Sequence, residues 1–185
     1  YYIYSVSKIV ATISMKLKLI FGSDTGNTDF VVETYLLSLL NSFEVEVTEV
    51  HKLIEKDWED YSLFILGIPT WYDGVLQSDW EDYFDDFKQI DFTGKTVAIF
   101  GLGDQIGYDE YFADGIGILA KVVIENGGKI IGNWPRENYS FAESKALKNK
   151  DYFYGLPLDQ DNEDELTLRR LEKWIEQLKS EISEI

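Results

Sequence analysis

The chain has no cysteine among its 185 residues, and only one histidine and one methionine. The absence of cysteine excludes disulfides, thiolate nucleophiles, iron–sulfur clusters and cysteine-ligated zinc together. Any redox chemistry would therefore need an organic cofactor. Proline is scarce at 3 residues and there is no low-complexity tract or internal repeat, while 45% of residues are hydrophobic and 15% aromatic. That is the composition of a packed globule, and the length suits one domain. Positive charge is scarce too: 17 Lys and Arg stand against 34 Asp and Glu, a formal net charge of −17. Such a field repels phosphate backbones and anionic lipid and hastens encounter with basic proteins. Nucleic acid is a poor partner for it. No run approaches the roughly 20 apolar residues that cross a bilayer. Residues 1–14 also lack a basic start followed by an unbroken apolar stretch. A cytoplasmic monomer without membrane insertion is expected.

Met15 stands directly before the first convincing strand, so residues 1–14 are expected to be a disordered extension and 15–185 the folded domain. Apolar runs rich in β-branched and aromatic residues recur at Lys16–Phe21, Glu44–Val50, Ser62–Ile68, Thr96–Phe100 and Ile130–Trp134. The first, third and fourth are nearly continuous, as in strands covered on both faces of a parallel sheet. Helical patterns fall between and after them: Asn27–Leu40, Asp79–Phe87, Ala113–Asn126 and Thr167–Ile182, the last with Leu171, Trp174, Ile175 and Leu178 on one face. Alternating β and α elements predict an α/β doubly wound sheet with its ligand outside the carboxyl ends of the strands. The polar stretch Arg136–Lys150 precedes a second apolar run, Tyr152–Leu158, and reads as a long loop interrupting an edge strand.

Three strand exits carry the chemistry. After the first comes Gly22-Ser23-Asp24-Thr25-Gly26-Asn27-Thr28, leading at once into a helix. Free N–H groups at a helix start, surrounded by hydroxyls and amides, make an anion site. The spacing is not that of a Walker loop, which needs four residues between its glycines and then a lysine, nor is it G-x-G-x-x-G. ATP, GTP and NAD are disfavoured, and a monophosphate held by neutral donors is favoured. The third strand exits through Pro69-Thr70-Trp71-Tyr72-Asp73-Gly74, a wall suited to a flat ring. The fourth exits through Gly101-Leu102-Gly103-Asp104-Gln105-Ile106-Gly107-Tyr108, which brings close-approaching backbone and a second ring.

These loops, together with Leu76-Gln77-Ser78-Asp79-Trp80 and Ser144-Lys145-Ala146-Leu147, resemble the long-chain flavodoxins of cyanobacterial type from Met15 to the C-terminus. The resemblance implies a flavodoxin-like three-layer sandwich. Its five-stranded parallel sheet would have the order 2-1-3-4-5, with the fifth strand interrupted by an insertion at Arg136–Lys150. It also implies non-covalently bound FMN. Ser23, Thr25, Gly26, Asn27 and Thr28 would hold the phosphate, with Asp24 in the same loop. Trp71 and Tyr108 would stack on the isoalloxazine faces. Thr70, Gly103, Asp104 and Gln105 would meet ring edge and ribityl, and Pro69, Tyr72, Asp73 and Gly74 would complete the site. Tyr72, Asp73 and Leu102 depart from residues common in the family.

The implied function is a low-potential one-electron carrier, not an enzyme, that shuttles between semiquinone and hydroquinone and substitutes for ferredoxin. Its implied partners are basic redox proteins such as ferredoxin–NADP reductase and photosystem I. Carboxylates near the ring disfavour the anionic hydroquinone. One charge about 10 Å away at an effective dielectric near 20 costs roughly 1.7 kcal/mol, on the order of 70 mV. An FMN-dependent quinone reductase on the same fold is the alternative. A flavin-free phosphoacceptor domain is the third reading, opposed by the lack of a lysine in these loops. The acidic runs Asp79–Asp91 and Asp159–Glu165 are expected on docking faces. His51 is expected at the surface far from the three loops, and Trp80, Trp134 and Trp174 in the core or at an interface.

Overall fold

The computed structural model describes residues 15–185; the expected extension, residues 1–14, lies outside the described residues. In chain order, β1 (Met15–Phe21) leads to α1 (Asn27–Val31), a π-helical stretch over Val32–Leu36 and α2 (Leu37–Leu39), which together form one helix-like rod. Next come β2 (Phe43–Glu49), the short α3 (Glu55–Glu59), β3 (Leu63–Trp71), β4 (Val75–Leu76) and α4 (Ser78–Phe87). β5 (Thr96–Leu102) and α5 (Asp114–Glu125) precede four short strands: β6 (Lys129–Ile131), β7 (Trp134–Pro135), β8 (Tyr152–Phe153) and β9 (Leu156–Leu158). α6 (Asp164–Ser183) closes the chain. Among the described residues no helix is long and apolar enough to cross a membrane.

The main sheet runs β2-β1-β3-β5 in parallel, and two strands share the position beyond β5. β6 pairs with its first half, Thr96 opposite Lys129, and β9 with its second, Phe100 opposite Leu156. Counted as one interrupted strand, β6 and β9 complete the expected 2-1-3-4-5 order. The interruption spans residues 132–155, wider than the expected 136–150, and holds the antiparallel pair β7–β8. The edge strand expected over Ile130–Trp134 therefore ends at Ile131, and α6 supplies the reason. Gly132 donates its N–H to Glu181 Oε2 (2.9 Å) and accepts from Trp174 Nε1 at its carbonyl (2.9 Å), so these backbone groups bond to α6.

Alternation along the central strands divides the core into two layers. Phe64, Leu66 and Ile68 of β3 and Val97 and Ile99 of β5 pack with Trp80, Phe87, Ile116 and Leu119 on one side of the sheet. Leu63, Ile65, Ala98, Phe100 and Leu102 pack on the other with Val31, Leu36, Leu171 and Trp174. Trp80 and Trp174 are fully buried, as expected, whereas Trp134 is half-buried.

On β1 one buried position breaks the hydrophobic pattern of the strand. Lys18 on β1 has no exposed side-chain surface and places its ammonium 2.5 Å from Glu46 Oε1 and 2.6 Å from Asp57 Oδ1. Burial works against its charge, but the hydrogen bonds and the charges of Asp57 and Glu46 outweigh it, so its pKa lies above the ordinary lysine value. Asp57 also accepts the Ile54 N–H at 2.9 Å, at the start of α3. The ion pair thus ties this short helix to the sheet.

Candidate functional site

The carboxyl ends of β1, β3 and β5 open into one cleft, at the end of the sheet where a parallel α/β fold takes its ligand. Its lining includes Ser23, Asp24, Thr25, Asn27, Thr28, Pro69, Thr70, Trp71, Tyr72, Gly103, Asp104 and Tyr108. Leu102, Gln160 and Asp161 also line it.

In the first loop, Gly26 takes the left-handed conformation (φ 86°) at the start of α1. Ser23 Oγ accepts from the N–H groups of Gly26 (3.1 Å) and Asp29 (3.4 Å), shaping the turn from within. Thr28 is buried, and its Oγ1 has no hydrogen-bond partner among the described residues. A buried hydroxyl left in this way costs free energy unless a ligand engages it. Its position on the first turn of a helix, beside Thr25 and Asn27, suits an anion.

Asp24 is turned to a different task. It accepts from Gln77 Nε2 (2.8 Å), Ser78 Oγ (2.5 Å) and the Ser78 N–H (3.4 Å), binding the first loop to the start of α4. Burial opposes its ionisation, but the Ser78 hydroxyl, the Gln77 amide and the Ser78 N–H prevail and hold the carboxyl below its ordinary range.

β3 runs on to Trp71 and turns back into β4 through Tyr72-Asp73-Gly74, with Trp71 opposite Val75. Tyr72 sits at φ 38°, strained for a residue with a side chain, and its carbonyl accepts the Gly74 N–H at 2.9 Å. Its ring lies 5.8 Å from that of Trp71 and edge-on to that of Tyr108 at 6.1 Å. Trp71, Tyr72 and Tyr108 therefore stand together at the mouth. Trp71 Nε1 is buried without a hydrogen-bond partner among the described residues.

The third loop is organised by Asp104. Its Oδ1 accepts from the N–H groups of Ile106 (2.9 Å) and Gly107 (2.7 Å) and from Asn162 Nδ2 (2.9 Å). Burial again opposes ionisation, and the Gly107, Ile106 and Asn162 donors again prevail, so the carboxyl stays below its ordinary range. Asp161 behaves in the opposite way: burial and the charges of Asp104 and Asp159 raise it above the ordinary carboxylate value.

Four expected residues do not line the cleft. Gly26 shapes the first loop from outside it, and Asp73 is exposed on the turn. Gly74 lies against Asp114 and Tyr111 instead. Gln105 is buried, and its Oε1 accepts the Ser140 N–H at 2.8 Å, so the side chain reaches into the insertion. Gln160 and Asp161 follow β9 and belong to the acidic run Asp159–Glu165, whose charge points to a docking face and gives no sign that the chain there turns into the cleft. Leu102 stood between two residues already read as part of the loop.

Two further expectations need correction. His51 is exposed, but it is not remote: Nδ1 lies 3.5 Å from Asp79 Oδ2, which accepts from Gln77, the same side chain that holds Asp24. Asp159 is not on a docking face. It is fully buried and accepts the N–H groups of Gln105 and Asn162, each at 3.1 Å.

Comparison with known proteins places this geometry among relatives. The family described as flavodoxin matches residues 19–174. The chain is 43% identical to flavodoxin 1 of Salmonella typhimurium over 162 residues, covering 88% of this chain and 92% of that protein. It is 43% identical to a flavodoxin of Synechocystis over 164 residues, covering 89% and 96%. A solved structure of Fusobacterium nucleatum flavodoxin bound to flavin mononucleotide superposes with a TM-score of 0.84 at 30% identity, covering 90% of this chain and 98% of that one.

Proposed function

The chain belongs to the flavodoxin family, and from that membership we propose that it is an electron carrier using non-covalently bound FMN, with no substrate of its own to turn over. The finer reading is a low-potential one-electron carrier working between semiquinone and hydroquinone, in place of ferredoxin, with basic redox proteins as its partners. One observation carries it: the buried, unpartnered Thr28 hydroxyl sits at a helix start in the same cleft that Trp71 and Tyr108 wall.

FMN, when bound, supplies the redox chemistry. Thr28, Thr25, Asn27, Ser23 and the Gly26 turn would receive its phosphate on neutral donors and the helix end. Asp24 would position this loop without touching the phosphate, since its oxygens are committed to Gln77 and Ser78. Trp71 and Tyr108 would cover the ring, with Pro69, Thr70, Tyr72, Gly103 and Asp104 around its edges and tail. Asp73, Gly74 and Gln105 would shape the loops from behind.

The charge around the cleft supports a low potential. Asp24, Asp104 and Asp161 line it, and among the described residues no lysine or arginine does. Negative charge added to the ring would meet these carboxylates across a partly dry cleft, each opposing it by about 1.7 kcal/mol at 10 Å. Around the mouth Tyr72, Ile106 and Tyr108 expose apolar surface, with relative exposures of 61%, 72% and 41%. An incoming redox protein would meet this surface within the acidic field.

The test is purification followed by a visible spectrum and a redox titration. The expected result is a yellow protein that takes up its two electrons in separate steps. A colourless protein that refuses FMN in calorimetry overturns the reading. So does steady quinone turnover by NAD(P)H without an added reductase, which would make the protein an enzyme. Reduction by a basic reductase should slow as salt rises.

A further inference from the structure

The turn that carries Trp71 and Tyr72 has few contacts of its own. β4 is two residues long, and Asp73 and Tyr72 face solvent. What holds it lies elsewhere in the chain. Gly74 turns with φ 82°, and a Cβ there would lie 2.9 Å from Asp114 Oδ2 and 3.5 Å from Lys145 Nζ. Only a residue without a side chain can rest so closely on this carboxylate.

Asp114 is 1% exposed and begins α5, a place that suits a carboxylate. Helix position alone does not account for its partners. Lys145, from the insertion, gives it an ammonium at 2.8 Å and a backbone N–H at 2.7 Å. The insertion is seated firmly enough to present that lysine. Ser144 Oγ donates to the Phe112 carbonyl at 2.5 Å, and the Ala142 and Glu143 N–H groups donate to the Asp109 carbonyl, each at 3.0 Å. One residue further along α5, the Gly115 N–H donates to Thr70 Oγ1 at 2.9 Å, fixing the other side of the same turn.

We propose that the Lys145–Asp114 ion pair is a clamp through which the insertion holds the Trp71–Gly74 turn in its flavin-binding conformation, so that Lys145 is a positioning residue for FMN. The inference rests on the proposed FMN function. Removing the ammonium leaves a buried carboxylate short of its counter-charge. The Asp114 side chain must then shift or take up water, and Gly74 loses the surface it rests on. Lys145 stands far along the chain from the turn and does not line the cleft, so its effect on the site must pass through Gly74, which it meets beside Asp114.

The experiment compares the full-length wild type with Lys145→Met, Lys145→Arg, Gly74→Ala and the double variant Gly74→Ala/Lys145→Met. Amide hydrogen exchange in the apoprotein is read over residues 71–77 and over α5, and the FMN dissociation constant by fluorescence titration. Lys145→Met should speed exchange in the turn on the order of tenfold, with the second half of α5 unchanged, and should weaken FMN binding by a similar factor. Lys145→Arg should restore both. Gly74→Ala should reproduce the effect from the other side of the contact, including in the case that Lys145→Met does not fold. The double variant should be no worse than the weaker single variant, since both break one contact. Wild-type exchange and affinity in Lys145→Met, or simple additivity in the double variant, overturns the clamp. If the wild type itself refuses FMN, the proposed function falls, and the exchange result still decides whether the clamp exists.

Discussion

The first loop and the Trp71–Gly74 turn face each other across one cleft, yet they are held in different ways. The first loop is fixed largely from within: Ser23 Oγ accepts two N–H groups of its own segment, and the helix begins at Asn27. Its distant ties run from Asp24 to Gln77 and Ser78 at the adjacent start of α4, and from the Gly22 N–H to the Gly67 carbonyl of β3 at 3.2 Å. The turn has a strained Tyr72 at its centre and depends on Thr70, Asp114 and Lys145 for its place. A phosphate site can be built from local backbone geometry because helix ends provide it. An aromatic wall must be carried on a scaffold, since a ring provides area and no anchoring of its own.

The comparison is broken most directly by altering one residue on each side. Thr28→Val removes the unpartnered hydroxyl at nearly constant shape and should weaken FMN binding by about 1.5–3 kcal/mol, the worth of a hydrogen bond to a charged group. Apoprotein stability should hold or rise, because the hydroxyl has no partner to lose. Trp71→Ala should weaken binding by about 1–3 kcal/mol through lost stacking. Titrations of the double variant should show the two losses adding, since the loops are separately fastened. Strong coupling between them would show that the two sides of the cleft act as one unit.

Acid sharpens the contrast. The folded-state pKa of Asp24 is depressed, so its contribution to stability is present above its ordinary value of 3.8 and is lost as pH falls through the folded value. Below that range the first loop should loosen from α4. Asp24→Asn should cost about 1 kcal/mol at neutral pH and remove most of the acid dependence of amide exchange over residues 22–28. An acid profile in the variant identical to that of wild type would place the pH dependence elsewhere.

The smallest expected effect is on the turn itself. Tyr72→Gly relieves a left-handed conformation that costs a side-chain-bearing residue about 1–2 kcal/mol. It also adds the entropy penalty of glycine, about 0.5–1 kcal/mol. The apoprotein should gain a few tenths of a kcal/mol, measured by denaturant unfolding. The likeness to flavodoxins implies that the Tyr72–Asp73 peptide would turn its carbonyl toward the ring on reduction, and glycine makes that turn easier, so with FMN bound the fraction in the one-electron-reduced state at mid-titration should rise. An unchanged fraction would argue that this peptide does not turn during reduction.

Much of the fold and half of the site's logic were legible in the residues. Continuous apolar blocks such as Ser62–Ile68 announced strands covered on both faces, and β3 and β5 are buried along nearly their whole length. Gly26 and the hydroxyls around it announced the tight turn into α1, since each acts on backbone within a few positions. Trp134 misled because a strand and the start of an insertion look alike in hydrophobicity, and α6 decided where the strand stopped. Asp159 and His51 misled because charge in a sequence carries no depth. One is sealed beneath the third loop, and the other meets α4 only once the sheet has closed.

The order of residues alone determined the α/β alternation, the helix start that suits an anion, the aromatic pair and the surplus of negative charge, because periodicity, turn chemistry and composition act over short spans of chain. Tertiary structure alone decided that a lysine from the insertion lies under Gly74, that Gln105 points away from the cleft and that Gln160 and Asp161 enter it. Those contacts join segments far apart in sequence. Their energy is available only after the strands have paired, so no local pattern had to record them.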